Sequence, residues 1–230
     1  MLMAGKLRRQ RLLALGVLMV CQAAVVGICL AQEPANSTPP QPETTGQSAE
    51  NAAPAPALIH VVLHSEFGDI RIGLDQAHAP ITVKNFLRYV DLKRFDGSTF
   101  YRAVKIDEEG KYGLVQGGLK GNPKRIFKPI PNEAPSVTGL SHVDGAISMA
   151  RREPGTATAD FFIVIGDLVS LDGEPAGGDP GYAVFGKVID GMEIVRKILD
   201  QPRDATAGEG VMKGQMLAKP ITILTIRRAY

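Results

Sequence analysis

Apolar positions in this chain fall into short runs with two different periods. The stretch from Gly145 to Ile165, GAISMARREPGTATADFFIVI, sets the dominant one: an apolar run, a long polar turn, then a second apolar run opening with Phe161-Phe162. On an extended backbone neighbouring side chains point to opposite faces. Phe161, Ile163 and Ile165 therefore share one face, and Phe162 and Val164 the other. Bulky apolar groups on both faces imply burial on both, either in a core or in a core plus a pocket.

The same alternation recurs along residues 58–230. LIHVVLHSEFGDIRIGL reads as a β-hairpin about a turn at Phe67-Gly68-Asp69. Ser98 to Val104 and Gly113 to Leu119 read as strands joined by the charged loop IDEEGKY. Tyr182 to Ile189 and the terminal ITILTI are two more, and Leu171 to Pro180 is a Gly/Pro-rich loop. Only two stretches carry the helical period. In the first, Pro80 suits the opening helical position, Val83, Phe86, Leu87 and Val90 share a face, and Lys84, Arg88 and Asp91 face water. The second, Gly191 to Leu199, has Met192, Val195 and Leu199 on its apolar side. Many short strands, Gly-rich turns and two helices predict a mainly β fold closed into an antiparallel barrel. An apolar fraction of 44% suits a globular core, and the sequence carries no internal repeat.

The first residues change the picture of what surrounds this domain. Lys6, Arg8, Arg9 and Arg11 form a basic cap before an apolar run from Leu12 to Leu30, closed by small residues at Ala31. That pattern reads as an export signal over residues 1–31, cleaved near Ala31-Gln32, with an uncleaved membrane anchor as the alternative. Residues 32–57 are rich in Pro, Ala, Ser and Thr and lack aromatics. They cannot bury enough apolar surface to offset the entropy of ordering, so they read as a disordered spacer. Both cysteines, Cys21 and Cys29, lie in the export segment, so the domain holds no disulfide and no thiol chemistry. Four of the 26 basic residues fall there and none of the 24 acidic ones, which leaves the rest slightly acidic. Nucleic-acid binding, which needs a clustered basic face, is not expected.

Candidate chemistry is sparse. His60 and His64 stand ~13 Å apart along a strand, too far to share an ion, and His78 and His142 are isolated, so no metal site is expected. The glycines beside Gln116 lack the lysine and helix that a phosphate cradle requires. Arg102 shares a strand face with Phe100 and Val104 by strict alternation. That is an odd place for a permanent charge unless it borders a cleft.

Several motifs, in order, resemble those of the cyclophilin family of peptidyl-prolyl isomerases: FYRAV at Phe100 to Val104, LVQGG at Leu114 to Gly118, PNEA at Pro131 to Ala134, Ser148-Met149-Ala150 with Asp160-Phe161-Phe162-Ile163, and GYAVFGKV at Gly181 to Val188. The resemblance spans essentially all of residues 58–230. It implies a closed eight-stranded antiparallel barrel capped by two α-helices, packed solid inside and carrying its working groove outside. It places Arg102 on the family's catalytic arginine and Gln116 on the residue that orients it. Phe162 falls on the floor of the proline pocket, with Leu114 and Leu171 lining it. Ala150 and Arg151 fall on the edge that pairs with substrate backbone, and Tyr182 on the pocket rim.

The sequence departs from the family in four places. The segment between Arg102 and Gln116 is several residues longer, and Gly113 occupies the slot of a pocket phenylalanine, with Tyr112 one residue out of register. Asp160 replaces a glutamine; its carboxylate either pairs with Arg102 or accepts where an amide would also donate. Arg151 replaces an asparagine, as in some bacterial members. Ser170 replaces a tryptophan that confers drug sensitivity, which implies weak cyclosporin binding.

The expected function is isomerisation of X-Pro bonds in exported proteins during folding, in the periplasm and without a cofactor, by a monomer acting on proline-containing polypeptides. The alternative is a catalytically weak module or chaperone that holds extended proline-containing segments. Membrane association is expected only if the N-terminal segment is retained.

Overall fold

A computed structural model describes residues 57–174 and 177–229. The export segment, and the spacer apart from its last residue, lie outside the described residues. Among the described residues nine strands follow in chain order: β1 (Ile59–Ser65), β2 (Gly68–Leu74), β3 (Ser98–Lys105), β4 (Gly113–Gly118), β5 (Ala146–Met149), β6 (Phe161–Ile165), β7 (Val184–Asp190), β8 (Arg203–Asp204) and β9 (Met216–Arg228). They pair in the order β1-β2-β7-β5-β6-β4-β3-β9, and β9 returns to β1, so eight antiparallel strands close a barrel. The two-residue β8 pairs only with the start of β9.

Among the described residues, three α-helices accompany the barrel: α1 (Pro80–Asp91), the single turn α2 (Pro135–Thr138) and α3 (Met192–Leu199). Helix α1 plugs one end, where Phe86 meets Phe161 edge-on at 5.6 Å and also packs on Phe95 and Phe185. Helix α3 closes the other, with Leu199 beside Gly113, which pairs with Ile165 at the far end of β6. As the alternation requires, Phe161, Ile163 and Ile165 belong to the main core, whereas Phe162 and Val164 belong to a second cluster outside the wall.

Element boundaries shift in places. The hairpin turn is at Glu66-Phe67, with Gly68 (φ 133°) already opening β2. Strand β7 starts at Val184, leaving Tyr182 in the loop before it, and β9 starts at Met216 rather than Ile221. The last difference reflects Pro220, which has no N–H for a ladder and sits where β9 slips against β3.

The expected sharing of a face by Phe100 and Arg102 does not hold. Phe100 pairs with Gly117 and Arg102 with Gln116, so Tyr101 is an extra residue, a β-bulge. The bulge resets the alternation. Phe100 and Ala103 both point into the core, while Arg102 turns outward. Gly117 is required opposite: a Cβ there would lie 2.8 Å from the Phe100 ring.

The outer cluster has a polar strut behind it. The Nε2 of His142 accepts from the Ser148 hydroxyl at 3.0 Å, and its Nδ1–H donates to Asp172 at 2.5 Å. The imidazole lies parallel to the Phe162 ring, centroids 5.8 Å apart. The connectivity is that of a hydrolase triad, but Ser148 and His142 are both 0% exposed, so no substrate carbonyl can reach the hydroxyl. Burial pushes the His142 imidazole below its ordinary value of 6.5, against the pull of Asp172. For Asp172 burial acts upward, but hydrogen bonds from Ser141 and His142 together outweigh it and hold the carboxyl low.

A base whose protonated form is disfavoured by folding binds fewer protons folded than unfolded. Its contribution to stability is complete above pH ~6.5 and declines as the pH falls below that value. Asp172 adds its own loss further down, below its ordinary value of 3.8. His142→Gln is therefore expected to flatten the fall in urea midpoint between about pH 6.5 and 5, seen as the difference between the two proteins across that window. Parallel curves would assign the acid sensitivity elsewhere.

Candidate functional site

The register of the barrel places the candidate residues in one row. Met216 on β9 pairs with Arg102 on β3, Arg102 with Gln116 on β4, Gln116 with Phe162 on β6, and Phe162 with Ser148 on β5. Because residues directly opposite in a ladder project to the same side, the bulge at Tyr101 delivers Arg102 beside Gln116 and Phe162. An open cleft of about 690 Å³ lies over this row. Arg102, Gln116, Phe162, Leu114, Ala150, Arg151, Asp160, Leu171 and Tyr182, the nine residues singled out in the sequence, all line it.

The floor is apolar. Phe162 is 4% exposed, and Tyr182 meets it edge-on at 5.5 Å. Leu114, Leu171 and Ala150 pack against it. The strut through His142 holds the ring from behind, so the floor is braced on both sides. Gly113 supplies no side chain here. A Cβ on it would face the Val104 carbonyl and Leu199, away from the cleft, and Tyr112 is 46% exposed elsewhere. The long loop from Ile106 to Tyr112 contributes nothing to the cleft and does not cover it, and Ser170 is exposed outside it.

Arg102 lies at the polar end. Its Nη1 donates to Gln116 Oε1 at 2.7 Å, while Nε and Nη2 donate to Gln215 Oε1 at 2.9 and 2.6 Å. Gln116 is oriented in turn by its Nε2, which donates to the Tyr101 hydroxyl at 2.8 Å. Burial lowers the Arg102 pKa, with the neighbouring tyrosines opposing. The guanidinium still stays charged, because arginine starts far above neutrality. Among the described residues, three of its five N–H bonds are occupied, which leaves one on each terminal nitrogen without a partner there.

Asp160 does not pair with Arg102. Its oxygens accept from the backbone N–H of Lys120 (2.8 Å) and Gly121 (3.2 Å), pinning the loop after β4. Gly118 (φ 133°) makes the approach possible, since a Cβ there would lie 2.5 Å from the carboxylate. Burial raises the Asp160 pKa, and those backbone donors oppose the rise. Arg151 is also turned aside. Its side chain is 1% exposed, bonded to Asp179 and to the Gly181 carbonyl (2.9 Å), and lies over the Tyr182 ring at 4.6 Å. Its Nε and Nη1 have no hydrogen-bond partner among the described residues. What Arg151 exposes at the cleft is its main chain.

Sequence reasoning missed Tyr101, Gln215 and the apolar rim formed by Val211, Met212 and Met216. The last four lie in a polar, Gly-containing run without periodicity, and only the pairing of Met216 with Arg102 brings them in.

Comparison with known proteins agrees with this architecture. The family model for cyclophilin type peptidyl-prolyl cis-trans isomerase/CLD matches residues 60–227. Peptidyl-prolyl cis-trans isomerase A of Dickeya dadantii is 39% identical over 142 residues, 60% of this chain and 70% of that protein. A peptidyl-prolyl cis-trans isomerase of Acinetobacter baylyi is 35% identical over 179 residues, 76% of this chain and 88% of that protein. In fold, the chain matches a crystal structure of a Cryptosporidium parvum cyclophilin type peptidyl-prolyl cis-trans isomerase, in the presence of the dipeptide Ala-Pro. The TM-score is 0.59 at 24% identity, over 74% of this chain and 99% of that one. With its barrel, its braced apolar floor and its outward-turned arginine, the chain belongs to the cyclophilin-type peptidyl-prolyl cis-trans isomerase family.

Proposed function

We propose that the cleft catalyses cis-trans isomerisation of X-Pro bonds in polypeptides. The observation that carries this reading is a charged guanidinium, held among the described residues by neutral amides, next to a braced apolar floor. Rotation about an X-Pro bond is slow because amide resonance resists it, with a barrier of ~20 kcal/mol. No nucleophile, metal or acid–base pair is needed to lower it. As the bond twists, conjugation is lost and the prolyl nitrogen becomes pyramidal and able to accept a hydrogen bond. A donor fixed at that point binds the twisted state more tightly than either planar one. The free N–H bonds of Arg102 are such donors, and the Phe162 floor receives the ring and excludes water. An acceleration of ~10⁴-fold requires ~5.5 kcal/mol, which one charged hydrogen bond in an apolar surround together with ring burial can supply.

The basic cap and apolar run of the N-terminal sequence support work outside the cytoplasm, after export to the periplasm. Substrates there are extended, proline-containing segments of envelope proteins still folding, and the chain acts on them as a monomer. Fractionation followed by N-terminal sequencing of the mature protein is expected to give a chain starting near Gln32. Recovery of an intact Met1 in the membrane fraction would make it an anchored form.

Arg102→Ala is expected to lower kcat/KM on a short X-Pro peptide by ~10²–10³-fold, the scale of losing one donor aimed at the transition state. Arg102→Lys keeps the charge but loses the fork and recovers only part of the rate. Asp160→Gln is not expected to raise the rate, because the carboxylate already serves the loop amides. Equal rates for wild type and Arg102→Ala would leave a peptide-binding module without isomerase activity.

A further inference from the structure

The guanidinium of Arg102 is gripped more firmly by Gln215 than by Gln116. One oxygen, Gln215 Oε1, accepts from both Nε (2.9 Å) and Nη2 (2.6 Å) and so defines the plane of the group. Gln116 touches only Nη1. Gln215 is itself fixed. Its carbonyl accepts from Ala103 N–H at 3.0 Å, immediately after the β3 bulge, and its own N–H donates to Met212 at 3.1 Å. The loop that carries it is tied by Gly214 N–H to the Ala207 carbonyl at 2.9 Å and by the pairing of Arg203 with Leu217 and Asp204 with Met216. The loop therefore has a built geometry that ends in an amide oxygen aimed at Arg102.

The charge of that acceptor matters as much as its position. A carboxylate is the commoner partner for a forked guanidinium and would hold it at least as well. It would also cancel the positive charge that the twisted X-Pro bond requires. Two amide oxygens orient the group and leave it a full cation.

We propose that Gln215 is a positioning residue for the isomerase reaction, holding the Arg102 fork in plane through a neutral acceptor so that its charge remains available to substrate. The proposal rests on the isomerase reading of the same cleft. It also assigns a role to the 205–216 loop, which delivers an acceptor to the arginine as well as walling the cleft.

The test compares wild type, Arg102→Ala, Gln215→Ala, Gln215→Asn and Gln215→Glu in steady-state isomerisation of one X-Pro peptide. Thermal unfolding of each protein and the NMR signal of the Arg102 Nε–H are measured alongside. Gln215→Ala is expected to lower kcat about tenfold with KM within about twofold, because the lost interaction acts on the donor rather than on ground-state binding. The Arg102 Nε–H should then exchange with solvent faster. Gln215→Asn, one methylene short, should fall between the two and serves if the alanine variant does not fold. Gln215→Glu should keep the Nε–H protected yet still lose kcat, since it supplies the grip without the neutrality. The proposal is overturned if Gln215→Ala or Gln215→Asn keeps wild-type kcat while Arg102→Ala is impaired, or if only KM changes. It is overturned in its electrostatic part if Gln215→Glu matches wild type. Equal rates for wild type and Arg102→Ala would instead bring down the isomerase reading itself.

Discussion

One extra residue decides what this barrel can do. A strand that alternates strictly would put Arg102 on the face of Phe100, inside a core that has no partner for a guanidinium. Burying an unpaired cation there would cost several kcal/mol or more. The bulge at Tyr101 shifts the phase by one, so that Phe100 and Ala103 keep the core filled and Arg102 emerges on the outer wall. Gly117 across the ladder makes room for the displaced Phe100 ring. The cleft follows from this irregularity, because the cross-strand row from Met216 to Ser148 then carries a cation, an amide and an aromatic floor in succession.

The polar groups of the cleft are sorted by charge. Two amides face the arginine, whereas the available carboxylates are engaged elsewhere. Asp160 is held by backbone N–H groups and the Tyr101 hydroxyl, Asp172 by His142 and Ser141, and Asp179 by Arg151. Each carboxylate stabilises a loop at the rim or a strut behind the floor. The arrangement separates two tasks that opposite charges would confuse: keeping the loops in place, and keeping a positive charge ready for the substrate.

Much of the scaffold was legible in the sequence because it rests on short-range periodicity. The 3.6-residue repeat of Val83, Phe86, Leu87 and Val90 and the two-residue repeat through Phe161 to Ile165 translate directly into α1 and β6. The split of Phe161 and Phe162 to opposite faces followed from the same rule, and the family resemblance said which of them meets the cleft. The bulge was not legible, since nothing in FYRAV marks Tyr101 as the surplus residue and its consequence appears only against β4. Gln215 was hidden for a related reason. Pro220 and the surrounding polar run conceal that β9 begins at Met216, and only long-range pairing brings residue 215 beside residue 102. The fate of Asp160 turned on Gly118, whose missing Cβ lets the carboxylate reach the loop.

Arg151 carries a consequence for breadth of use. Its guanidinium is tucked beneath the loop that ends at Gly181, so that what Arg151 itself presents to the groove is main chain. A polypeptide lying along this edge therefore meets the Arg151 peptide group rather than its charge, while the exposed Arg152 beside it lines the same cleft. At residue 151 itself the charge is withdrawn by hiding a side chain rather than by lacking one.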